Sequence, residues 1–129
     1  MSREIIFRGK SEVTNEWVYG SLVKVGNESH IVGFDEVDLD GHHLSYCSDR
    51  PIFTKQGTIG QFTGLHDKNG TDIYEGDILR NESCKGIVVY KNGAFVLELG
   101  KSCGCVYLFC LDSLLVIGNI YDNPELLES

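Results

Sequence analysis

Apolar and polar residues trade places in short runs throughout this chain, a period of two that predicts strands rather than helices. Residues 5–8 read as a first strand entering a turn at Gly9-Lys10. Residues 17–24 form a longer one that ends at Gly26-Asn27, with 30–34 as its hairpin partner. Asp67-Lys68-Asn69-Gly70 is a turn between two strands, with Asp67 bonding the backbone ahead and Gly70 supplying a positive φ. Residues 85–90 and 94–99 flank Asn92-Gly93, the pair that a type I′ hairpin turn demands. Two more short strands follow at 106–109 and 114–117. Only the tail breaks the pattern. Asn123 suits a helix cap, Pro124 the first helical position and Glu125 the positive end of the dipole, so 123–128 predict about one helical turn.

Composition strengthens the β reading. Ala94 is the only alanine among 129 residues, against 15 glycines, eleven valines, ten isoleucines, six tyrosines and six phenylalanines. Branched and aromatic side chains suit a pleated surface. The fold class expected is mainly β, built from short-stranded sheets with a short C-terminal helical turn. Residues 47–57 hold Cys47, Ser48, Asp49, Arg50, Pro51 and Gly57, a connecting stretch with weak internal pattern. It predicts a division into an N-terminal β-rich segment, 1–57, packed on a core, 58–129.

Charge narrows the choice of partners. Eleven basic and nineteen acidic residues give −8, distributed as −3 over 1–57 and −5 over 58–129. A field of that sign repels phosphate backbones and anionic lipid, which argues against nucleic acid and membrane partners. The start, Met1 to Arg8, lacks the apolar stretch of a signal peptide, and the longest apolar run, 106–111, is far too short to cross a bilayer. Five cysteines, an odd number, fit a reducing compartment. The location expected is the cytoplasm.

One long stretch carries a resemblance. It runs Ile59-Gly60-Gln61-Phe62-Thr63-Gly64-Leu65, through Asp67-Lys68-Asn69-Gly70, to Ile73-Tyr74-Glu75-Gly76-Asp77-Ile78. The chain closes on Val116-Ile117-Gly118-Asn119-Ile120-Tyr121-Asp122-Asn123-Pro124-Glu125-Leu126-Leu127. Together these resemble the YopX family of small bacteriophage and prophage proteins, whose members carry a similar GQYTGL-DKNG-IYEGDIV centre and VIGNIYENPEL tail. Phe-Arg-Gly-Lys at 7–10 and Trp-Val-Tyr-Gly at 17–20 look like the family's opening segment. Phe62 stands where the family often has Tyr, while His66 and Thr71 replace more usual polar residues. The cysteines of 101–110 are not a family signature. The resemblance implies a phage-derived protein of the bacterial host cell with a small β core, and it brings no reaction, cofactor or catalytic residue. Residues 72–118, read as five short strands, are compatible with an SH3-like barrel.

Chemistry is scarce. Cys103, Cys105 and Cys110, joined by Cys84, Cys47 or His42-His43, would be the set for zinc. Zinc sites, however, space their thiolates two to four residues apart and in two pairs, and this set does neither. Buried thiols in a reduced sheet are the plainer account. His42 and His43, beside Asp38 and Asp40, would point to opposite faces of a strand and suit an exposed turn flank. His30 and His66 have no partner at an informative spacing. Asp67-x-Asn69-x-x-Asp72 is similar to the start of a calcium loop, but its glycine is misplaced and the closing position holds Ile78 rather than Glu. Glu75-Gly76-Asp77 pairs two carboxylates that also fit a tight turn. No catalytic set, metal or cofactor is expected.

The residues singled out as a structural or functional motif are Gly60, Gln61, Thr63, Gly64, Asp67, Asn69, Gly70, Tyr74, Glu75, Gly76, Asp77, Gly118, Asn119, Tyr121, Asn123 and Pro124. The function expected is a non-catalytic binding or assembly module that engages a partner protein or itself as a homo-oligomer. The competing reading is a divalent-metal enzyme or nucleic-acid-handling accessory that uses the acids of 72–77.

Overall fold

A computed structural model describes residues 5–33, 52–82, 84–99, 104–108 and 113–127. The chain divides into two compact units, Met1–Gln61 and Phe62–Ser129. Both are β structures, and the fold is mainly β, with two antiparallel sheets and a single short 3-10 turn among the described residues.

In the first unit β2 (Trp17–Val25) lies between β1 (Phe7–Lys10) and β3 (Glu28–Gly33). Register sets Arg8 opposite Tyr19, Lys10 opposite Trp17 and Val23 opposite His30. The other edge of β1 takes the first two residues of β4 (Gly60–His66), with Phe7 opposite Gln61 and Arg8 opposite Gly60. Partners directly opposite share a face, so Arg8, Lys10, Trp17 and Tyr19 lie together. The Arg8 guanidinium sits 4.4 Å from the Trp17 ring centre and the Lys10 ammonium 5.3 Å. Ile31 and Thr54 form the unit's driest point, both wholly buried. Gly9 is the reason they fit: a Cβ there would lie 2.4 Å from the Thr54 methyl.

In the second unit the far half of β4 pairs with β5 (Asp72–Tyr74), Phe62 opposite Tyr74 and His66 opposite Asp72. The larger ladder contains β6 (Asp77–Arg80), β7 (Lys85–Lys91), β8 (Ala94–Leu99), β9 (Cys105–Tyr107) and β10 (Leu115–Asn119), in the order β10-β6-β7-β8-β9. Its core is Ile73, Leu79, Val88, Leu97, Leu108 and Leu114, each nearly free of solvent. Val88 faces Leu97 directly across the β7–β8 ladder. The turn that joins those strands has φ of 54° at Asn92 and 83° at Gly93, the two positive values of type I′. Among the described residues the ladder is open, and no pairing of β9 with β10 closes it into a barrel.

Strand edges moved by a residue or two from their sequence reading: β1 begins at Phe7 and β3 at Glu28. The tail does hold a 3-10 turn, Pro124–Leu127, whose start Asn123 anchors. No helix among the described residues is long and apolar enough to cross a membrane.

Candidate functional site

The two motifs that stand far apart in sequence meet in the second unit. Asp77 pairs with Asn119 and Ile78 with Gly118 in the β6–β10 ladder. Beyond that ladder, Ile120 N–H donates to the Gly76 carbonyl at 2.9 Å, and Gly76 N–H donates to the Val88 carbonyl at 2.9 Å. Gly76 has φ of 91°, and the Tyr121 ring lies where its Cβ would be, 2.9 Å away. Two constraints therefore converge on one residue.

Asp77 is 2% exposed, and its Oδ2 accepts the Tyr74 backbone N–H at 2.8 Å, which ties off the turn at Glu75-Gly76. Asn119 Oδ1 accepts the N–H groups of Tyr121 and Asp122, at 3.0 and 2.9 Å. Asn123 returns the favour, its Oδ1 accepting the Asn119 N–H at 3.3 Å while its own N–H donates to the Asn119 carbonyl at 2.8 Å. Gly118 leaves room for that amide, since a Cβ would fall 2.6 Å from Asn123 Oδ1. Pro124, exposed, opens the 3-10 turn.

Asp67 accepts three backbone N–H groups through its two carboxylate oxygens. Its Oδ1 accepts from Asn69 N–H at 2.8 Å and Thr71 N–H at 2.9 Å, building the turn that Gly70 completes. Its Oδ2 accepts the Val116 N–H at 3.0 Å and so holds β10 from 49 residues away. Burial alone would raise its pKa. The N–H donors of Val116, Thr71 and Asn69 outweigh that and hold the carboxyl below its ordinary value of 3.8. Upstream, Gly64 has φ of 85° within the irregular stretch between Phe62 and His66. There Thr63 Oγ1 donates to the Ile73 carbonyl at 2.8 Å and accepts the Leu65 N–H at 3.1 Å. Gly60 and Gln61 belong to the ladder with β1 instead.

Two histidines acquire partners that spacing did not reveal. His66 Nε2 lies 3.0 Å from Asp72 Oδ1, because the β4–β5 register sets those residues opposite each other. His30 bonds Thr54, 24 residues on, and Glu28, two residues back. Adjacent positions on one face of a strand were the available signal for the second contact, whereas the first needed the tertiary fold. Of the cysteines, Cys84 is half-buried and Cys105 exposed, and both are thiols. Cys47, Cys103, Cys110, His42 and His43 lie outside the described residues. Among the described residues no three His, Cys, Asp or Glu side chains gather as a metal site.

Comparison with known proteins follows the same geometry. The crystal structure of protein EF1440 from Enterococcus faecalis is similar over 98% of this chain and 99% of that one, at 26% identity and a TM-score of 0.60. The curated proteins offer no match. The family model described as YopX protein matches residues 6–128, taking in both motifs and the opening strands. The chain belongs to the YopX family.

Proposed function

We propose that this YopX protein is a phage- or prophage-derived module of the bacterial cytoplasm that works by binding or assembly rather than by catalysis. One observation carries the reading: the side-chain oxygens of Asp67, Asp77, Asn119 and Asn123 accept from the chain's own backbone. Asp67 serves three N–H groups, Asp77 serves Tyr74, and Asn119 and Asn123 serve each other's turn. General acid–base or metal chemistry instead wants carboxylates converging on a place that a substrate can reach. Glu75 and Asp77, two residues apart across a turn at Gly76, suit the architectural role.

Association has its own support. Among the described residues strand β9 ends the larger ladder, and a terminal strand is a template for another chain. Each subunit carries −8, so like charges oppose assembly and salt relieves them, with screening over ~8 Å at physiological strength. Light scattering is expected to show a mass above the monomer that grows with protein concentration and with salt. A strict monomer under every condition removes self-association and leaves a different protein as the partner. Turnover of a nucleotide or nucleic acid with Mg²⁺ or Mn²⁺, lost in a folded Asp77→Asn variant, would overturn the non-catalytic reading.

A further inference from the structure

His30 is a titratable group buried to 1% exposure, and the structure fixes where its proton sits. The backbone N–H of Thr54 can only donate, and it lies 3.0 Å from Nδ1. Nδ1 is therefore the acceptor, and the ring hydrogen is on Nε2, donating to Glu28 Oε1 at 3.1 Å. Thr54, itself wholly buried, is the centre of a strap laid against the first unit. Its hydroxyl accepts the Ile31 N–H at 3.2 Å and donates to the Ile52 carbonyl at 2.6 Å. On either side, Ile52 N–H donates to the Ile31 carbonyl and Lys55 N–H to the Lys10 carbonyl, at 2.6 and 2.8 Å. Gln56 Nε2 donates to the Ser29 carbonyl at 2.8 Å and to the Thr54 carbonyl at 3.0 Å.

We infer that His30 is a proton-operated clasp on this strap. A second proton can enter the ring only at Nδ1, and there it turns the acceptor of the Thr54 N–H into a donor that faces a donor. Residues 52–56 then lose one of the bonds at their centre, that of the Thr54 N–H. Glu28, on the same strand, is the charged group within bonding reach of the ring among the described residues, and it stays on Nε2 in both states. From β2 the register partner is Val23, and from the strap come Thr54 and the Phe53 ring, edge-on at 5.2 Å. None of these three carries charge. Ring protonation and opening of the Thr54 N–H bond are coupled, and the strap is loosened at its centre when the second proton enters.

Nitrogen-15 NMR of the histidine ring and amide exchange at Thr54, followed on the same sample across pH, test this. Expected are an Nε2–H tautomer and a Thr54 protection factor that falls about tenfold per pH unit, since opening takes up one proton. The variant His30→Asn offers a carbonyl oxygen near the Nδ1 position and nothing to titrate, so Thr54 should stay protected and its protection factor should be flat with pH. An Nδ1–H tautomer in the wild type overturns the clasp. So does Thr54 protection that persists through the ring's titration, or the same acid loss in His30→Asn. Should that variant fail to fold, the two wild-type measurements decide alone.

Discussion

An Asp67→Ala variant is expected to lose about 3 kcal/mol of stability at neutral pH, since hydrogen bonds to a charged group contribute about 1.5–3 kcal/mol each and do not simply add. Three backbone N–H groups lose their acceptor at once. Asn69 and Thr71 are exposed, and water replaces the carboxylate there; Val116 is half-buried and has less recourse. Acid should act on the same bonds. The Asp67 carboxyl is held below 3.8, so folding favours its charged form. Its contribution is complete above that value and fades as pH falls through the lower value of the folded protein. Urea midpoints from about pH 5 to about pH 2 check this, and Asp67→Asn, with one carbonyl oxygen and no charge, should lack Asp67's share of the acid loss. Identical midpoints for Asp67→Ala and the wild type at neutral pH would show that water replaces all three bonds.

Gly76→Ala is the second large effect, expected at about 2–3 kcal/mol, because a non-glycine residue in a sparsely populated backbone region costs of order 1–3 kcal/mol before any collision. Here φ is 91° and the collision is with the Tyr121 ring. A cycle with Tyr121→Ala separates the two causes. Removing the ring relieves the steric part and leaves the backbone part, so the double variant should be more stable than the two single losses added together. Strict additivity would mean that the ring moves aside freely and that φ alone sets the cost.

Both effects rest on features the sequence disclosed unequally. Asp67-Lys68-Asn69-Gly70 announces its turn, and the bonds from Asn69 and Thr71 are local enough to be foreseen. The bond to Val116 is not, because nothing in residue 116 marks it as the partner of residue 67. Asn92-Gly93 fixed its hairpin in advance, since the φ values it requires are rare outside such residues. The connecting stretch at 47–57 showed only a weak pattern, and in its described part, 52–57, the reason is that it makes few ladder pairs and is held by bonds through Thr54, Gln56 and His30 instead. Motif membership was legible for Gly76 and Gly118, and so was the turn at Gly76, yet the side chains that crowd them, Tyr121 and Asn123, are ones that only the fold brings there.

The separation of 49 positions between Asp67 and Val116 also imposes an order in time. Loop-closure entropy rises with the logarithm of length, so joining those two points costs on the order of 2 kcal/mol more than closing the hairpin across Asn92-Gly93. The hairpin can form from neighbours alone, whereas the last strand must wait for a surface that β6 and the Asp67 turn have already built. A nascent chain meets the same sequence of events, since residues 113–127 are made after everything they bind. Until they arrive, Asp67 Oδ2 and the open edge of β6 face water, and the second unit is a sheet with one side still unlaced.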